Sequence, residues 1–251
     1  MSGFVMNRKE LADLLLSLKG ISGKEPLTVI QETWMRLRGG QEGRATTTST
    51  SLPPIIDKIV KMTQGSGDIG FSINEIVALG NQLEFNTFSS TTVQNWIKRD
   101  VKELIGSPAL SKKYSVDQAA TILMIEDLKT ILDLDSIRKL LKVVFRNPDE
   151  IKDDLMQPVE LYAAYSHIFE EMDVNDDQVL DAEQGGKLDV KAAIERRADQ
   201  YVATAAALEH LSDKEKETMS DVIVIAILAV QTSYFQSLAK RAMTDLFLTH
   251  L

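Results

Sequence analysis

The residues best suited to recognition chemistry are concentrated in one stretch, TTVQNWIKRDVKELI, at positions 91–105. Wound as a helix, it puts Val93, Trp96, Ile97, Val101 and Leu104 on one face at steps of three and four. The other face carries Thr92, Gln94, Asn95, Lys98, Arg99 and Lys102. Side-chain amides can pair with base edges, and Lys and Arg can neutralise phosphates. A solvated helix face has a similar composition, so the pattern by itself leaves both readings open. The next segment, IGSPALSKKYS at 105–115, is a short Pro-bearing turn that ends in two lysines and an aromatic. We expect a small wing, with Lys112 and Lys113 on the backbone beside a groove and the Tyr114 ring packed back to hold the loop. Thr91 through Lys113 includes five basic and two acidic residues. That is a local positive excess on a chain of net charge -9.

Other chemistries find little support. The chain has no Cys, which removes disulfide scaffolds, thiolate metal sites and Cys nucleophiles. Its three His, His167, His210 and His250, lack metal-ligand spacing. No nucleophile elbow, P-loop, dinucleotide fingerprint or HExxH occurs, so we expect neither an enzyme nor a cofactor. Asp173, Asn175 and Asp177 imitate the start of a calcium loop. Position six, however, holds Gln178 where Gly is needed, and position twelve holds Gln184 where Glu is needed. His167 shares a helical segment with Leu161, Tyr162, Tyr165 and Phe169, an aromatic stripe that reads as core more readily than as an effector pocket.

The elements that must position this face are helical. Leu11, Leu14, Leu15 and Leu18 recur at helical spacing over 9–19, and a second helix is predicted from Leu27 to about Leu37. Three capping boxes follow, Ser72 with Glu75, Thr91 with Gln94, and Ser115 with Gln118, each opening an apolar-periodic segment. A further helix starts near Asp135 and turns Ile137, Leu140, Leu141 and Val144 inward, stopping before Pro148. No segment alternates with period two, so the fold is expected to be mostly α with at most a small β element at the wing. Residues 39–54, GGQEGRATTTSTSLPP, read as a linker. The organisation predicted is a helical arm at 1–38, which either binds a partner or folds back, the linker, a DNA-binding domain at 55–148, and an acidic helical region at 149–251. From 148 onward there are 9 basic and 21 acidic residues, which phosphates would repel. The run VIVIAILAV at 222–230 continues through Tyr234, Phe235, Leu238, Met243, Leu246 and Leu248, and reads as a buried helix or a dimer core, being too short in its apolar part to span a bilayer. The N-terminus lacks the order of a secretion signal, and we read the protein as cytoplasmic.

The order of these parts resembles the winged helix-turn-helix domain of the MerR family: FSINEIVALG, then TTVQNWIKRD, a wing ending KKYS, the helix VDQAATILMIEDLKTIL and the short LDLDSIRKLLKVV. The resemblance covers about residues 71–146. It is closer still to an uncharacterised bacterial domain-of-unknown-function family with a MerR-like core, whose recognition-helix and wing patterns match Asn95, Trp96, Ile97, Lys98 and Pro108, Lys112, Lys113, Tyr114, Ser115. Two features depart from the MerR pattern. Ten residues, NQLEFNTFSS, separate the first two helices, and Asn95 stands where an Arg is usual. The resemblance implies a transcriptional regulator that binds double-stranded DNA as a homodimer through its C-terminal helices, with Thr92, Gln94, Asn95, Lys98, Arg99 and Lys102 at the groove and Lys112 and Lys113 on phosphates. The competing reading is a protein-interaction adaptor that keeps the fold without specific DNA binding.

Overall fold

The computed structural model describes residues 4–39, 52–65, 67–146, 153–172 and 190–249. The predicted linker, apart from its ends, and the acidic loop that imitates a calcium site lie outside the described residues. Eleven α-helices occur among the described residues: α1 (Arg8–Lys19), α2 (Pro26–Gly39), α3 (Pro54–Thr63), α4 (Ile73–Gly80), α5 (Ser90–Arg99), α6 (Lys102–Ile105), α7 (Val116–Leu128), α8 (Leu134–Val144), α9 (Pro158–Glu171), α10 (Val190–Thr204) and α11 (Asp213–Thr249). The protein is mostly α. The chain forms two compact units, each built from two stretches: Met1–Leu123 with Gln157–Ala163, and Met124–Met156 with Ala164–Leu251.

In the first unit, α1 begins at a capping box in which Asn7 accepts from the Glu10 N–H and the Glu10 carboxylate accepts from the Asn7 N–H. It ends at Gly20, whose φ of 78 is the left-handed conformation that glycine adopts without cost. Leu11, Leu14 and Leu15 are fully buried. Helix α2 buries Val29, Ile30 and Thr33 on its inner face. The N-terminal residues fold back onto the unit. The Met6 N–H donates to the Gln82 carbonyl at 2.7 Å, and the Glu84 N–H donates to the Met6 carbonyl at 3.0 Å. Arg36 on α2 forks onto both Glu10 carboxylate oxygens at 2.6 and 2.7 Å and donates to the Val5 carbonyl at 3.0 Å. Lys19 pairs with Asp117, whose other oxygen accepts the Val159 N–H at 3.4 Å, so one buried carboxylate ties α1, α7 and α9 together.

The second unit packs α10 against α11, with Ile194, Ala198 and Val202 buried on one helix and Val222, Ile223, Ala226, Ile227 and Val230 on the other. The Ser220 hydroxyl donates to Asp199 at 2.5 Å across this pair. The Tyr165 hydroxyl donates to the buried Asp127 at 2.8 Å. Tyr165 belongs to the aromatic stripe and is fully buried, while His167 beside it is half-buried. The run 222–230 thus sits inside this unit. Helix α11 nevertheless contains a stretch long and apolar enough to cross a membrane by length and composition alone, where the sequence read its apolar part as too short. Beyond Tyr234 it is exposed on most sides, including Phe235, Leu238, Met243, Leu246 and Phe247.

Helix α11 opens at a box formed by Ser212 and Glu215, and Arg146 adds a bond to the Glu215 carboxylate at 2.8 Å. The Ser212 bonds first, then Arg146, hold the Glu215 carboxyl at about 2, below its ordinary value of 4.5. A depressed carboxyl stabilises the fold above its unfolded pKa, and that contribution disappears as pH falls through the folded value. Glu215 should therefore contribute fully above about 4.5 and lose its contribution between there and about 2. Urea midpoints measured across this window should fall less steeply for Glu215→Gln than for the wild type, by a modest amount because the group is exposed.

Candidate nucleic-acid interface

Helix α4 starts at the expected box, with Ser72 accepting from the Glu75 N–H and the Glu75 carboxylate accepting from the Ser72 N–H at 2.7 Å. It stops at Gly80, and a Cβ there would lie 2.1 Å from the Phe88 ring and 3.1 Å from Leu123 Cδ2. Glycine at this point lets the start of α5 approach α4. Gly80→Ala should cost about 1–3 kcal/mol through overpacking. Its urea midpoint should fall, and Phe88→Leu in the same chain should restore part of the loss.

The long segment between α4 and α5 is closed at its neck. The Asn81 side chain accepts the Phe88 N–H at 2.6 Å and donates to the Phe88 carbonyl at 3.2 Å. Met6 holds the loop from outside through the two main-chain bonds described above. Phe85 takes the turn at φ 65. Nine residues, 81–89, therefore span the gap in a fixed shape.

Helix α5 begins two residues earlier than the sequence suggested. Its cap is Ser89, which accepts from the Thr92 N–H at 3.5 Å, and not Thr91. Ser89 precedes the helix in an extended conformation, whereas Thr91 already lies within it. Gln94 is consequently free of a capping duty, and its amide donates to Asn74 on α4 at 3.5 Å. Val93, Trp96 and Ile97 are buried, and Thr92, Asn95, Lys98 and Arg99 are exposed, with Gln94 half-buried. The expected single helix over 91–105 is two. The chain breaks at Asp100 and Val101, both of whose N–H groups donate to the Trp96 carbonyl, and Lys102 opens the separate helix α6. Lys102 is exposed but is not on α5.

No β-strand forms among the described residues, so the small β wing expected from the sequence is instead a turn with isolated bridges. Leu110 and Lys113 exchange two main-chain bonds of 3.0 Å, with Ser111 at φ 62 between them. Phe71 and Tyr114 exchange two more at 2.8 Å. Pro108 has no N–H to offer a ladder. The remaining loop groups are taken by a side chain: Gln118 accepts the Ala109 and Ser115 N–H groups at 3.1 and 2.9 Å and donates to the Ile105 and Ser107 carbonyls, both at 2.7 Å. A Cβ on Gly70 would meet Leu110 Cδ1 at 2.8 Å, so the loop rests closely on that glycine. Tyr114 is buried, as the packed-back ring requires, and burial pushes its phenol above the ordinary pKa.

Lys112 and Lys113 stand exposed on this turn. Among the described residues no carboxylate lies within ion-pair distance of Lys98, Lys102, Lys112 or Lys113, and Arg99 reaches only the adjacent Asp100, at 3.7 Å. An exposed pair at that distance contributes little. The first unit thus presents a set of uncompensated cations with amide and hydroxyl groups among them. Tyr114 and Trp96 support the set from beneath and do not belong to it. Sequence reasoning missed Asn74, Asn81, Met6 and the second role of Gln118, for which the sequence signalled only the cap.

Residues 68–165 match the family model described as a domain of unknown function (DUF1836). The chain is also 29% identical to the "Uncharacterized protein YkrK" of Bacillus subtilis (strain 168) over 246 residues, 98% of this chain and 100% of that protein. No solved structure matches. The segment matched by the family model takes in α4 through α8, and so contains every exposed amide, hydroxyl and cation of the surface described above.

Proposed function

We propose that this protein is a sequence-specific transcriptional regulator that binds double-stranded DNA as a homodimer, with a MerR-like winged helix-turn-helix at 71–146. One observation carries the reading: α5 buries Val93, Trp96 and Ile97 while exposing Thr92, Asn95, Lys98 and Arg99, and these cations and those of the following turn lack strong carboxylate partners. A helix that offers amides to base edges, beside a loop that offers lysines to phosphates, meets the two needs of groove recognition. Lys112 and Lys113 supply the position-independent part and Asn95 the sequence-dependent part. The second copy is proposed to cover the exposed end of α11, where Phe235, Leu238, Met243, Leu246 and Phe247 would otherwise remain in water. Sedimentation equilibrium on the full chain tests this, and a monomer would remove the dimer from the reading.

Selection of bound fragments from sheared source DNA at moderate salt tests the function. A shared motif, palindromic if two copies bind together, is the expected result. Recovery at background level would overturn it. The adaptor reading would then stand, supported by the acidic excess of residues 148–251, with 21 acidic against 9 basic residues.

A further inference from the structure

We infer that Gln118 is a positioning residue for the lysine-bearing turn: its one side-chain amide holds both stems of the loop and so fixes where Lys112 and Lys113 stand. This inference rests on the DNA-binding reading for its consequence, though not for its geometry. The other restraints on the loop from Ile105 to Ser115 act on its tip and exit stem. Its tip is closed by the reciprocal Leu110 and Lys113 bonds and rests on Gly70. The exit stem is tied to Phe71 through Tyr114. The entry stem, Ile105 to Ala109, is bound by Gln118: the amide nitrogen donates to the Ile105 and Ser107 carbonyls at 2.7 Å each, and the amide oxygen accepts from Ala109 at 3.1 Å. The same oxygen accepts from Ser115 on the exit stem at 2.9 Å. A capping residue needs only that last bond, so the other three go beyond capping.

The amide is the side chain this arrangement requires. Two carbonyls and one N–H on the entry stem and one N–H on the exit stem converge on this side chain, and only a group with donors on one end and an acceptor on the other satisfies all four. Glutamate keeps the acceptor half and sets a carboxylate against the Ile105 and Ser107 carbonyls. Methionine fills similar volume and satisfies neither half. Loss of the donor bonds should free the entry stem, and the lysines at the tip would then have to be ordered at the moment of binding, which weakens their contribution.

The test uses the full chain with Gln118→Met, Gln118→Glu and Lys112→Ala/Lys113→Ala, and two readouts. The first is amide hydrogen exchange of the loop without DNA. The Leu110 and Lys113 N–H groups should exchange roughly tenfold or more faster in both Gln118 variants, with α4 and α5 unchanged. Exchange as slow as in the wild type overturns the inference whatever the protein binds. The second is affinity for a selected DNA fragment as a function of salt. Neutralising two phosphates contributes about 1.8 to the slope of log K against log salt. Gln118→Met should lose about that much, as the lysine variant does, and should add nothing when combined with it. A full wild-type slope, or a loss that adds to that of the lysine variant, overturns the inference. If Gln118→Met does not fold, Gln118→Glu carries both readouts. If the wild type binds no DNA, the functional reading fails, and the exchange measurement still decides the positioning role.

Discussion

Replacing Lys98 and Arg99 together by alanine is expected to weaken binding to a selected DNA fragment by about 100-fold, taking about 1.4 kcal/mol for each charge-assisted contact. Both side chains are exposed on α5, and neither has a strong carboxylate partner, so the native fold does not depend on them. The thermal midpoint should therefore stay near that of the wild type. The slope of log K against log salt should become shallower by about 1.8 if both meet phosphates, and by less if one reads a base. Asn95→Ala makes the informative contrast, because loss of a paired amide contact should cost about 1–3 kcal/mol at one base position and little on random DNA. Fluorescence anisotropy over a salt series gives all of these values. Unchanged binding in the double variant would mean that α5 is not the docking helix.

Trp96→Ala should have the largest effect on stability, about 3–5 kcal/mol, because it empties a site where the ring is only 2% exposed. Trp96 lies on the inner face of α5 with Val93 and Ile97, and the two ends of that helix are held by the Ser89 cap and by the bonds that Asp100 and Val101 make to the Trp96 carbonyl. Its neighbour in sequence, Asn95, faces solvent, and Asn95→Ala should change stability by no more than about 0.5 kcal/mol. Urea denaturation of the pair separates packing from recognition at adjacent positions. If Trp96→Ala were as mild as Asn95→Ala, the inner face of α5 would not be the packed surface described.

The parts of the fold that were legible in the sequence are those in which a local signal decides the outcome. Ser72 with Glu75 and Ser115 with Gln118 are complete within four residues, and both form as read. The same signal stands at Ser212 with Glu215 and, with Asn as the cap, at Asn7 with Glu10. The break between α5 and α6 was not legible, because Val101 and Leu104 continue the apolar period across it and both are buried. Periodicity records which residues turn inward and not whether one helix carries them all. The wing shows a related limit. Its turn could be placed from Pro108 and the lysines, but the extent of pairing depends on which main-chain groups Gln118 takes first. The N-terminal helices had to bury their leucines somewhere, yet the tie from Met6 to the α4–α5 loop is made by main-chain atoms that carry no residue identity. For the interface, the exposed set of α5 and the turn was visible from helical spacing, whereas Asn74 beside Gln94 required the tertiary fold.

The bond from the Val159 N–H to Asp117 has a consequence for how the molecule is made. The first unit closes only when Gln157–Ala163 joins residues supplied much earlier, and the second unit takes the stretch between them for itself. During synthesis, α1 and α2 can pair as soon as they emerge, since the Asn7 box, Gly20 and the Arg36 fork to Glu10 all lie within the first 39 residues. Asp117, at the start of α7, must then wait for its α9 partner until the ribosome has passed α9. Contacts of such wide sequence separation are the slow part of folding and leave apolar surface open meanwhile. A message cut short before codon 157 would thus yield every side chain proposed to touch DNA without the segment that completes their scaffold.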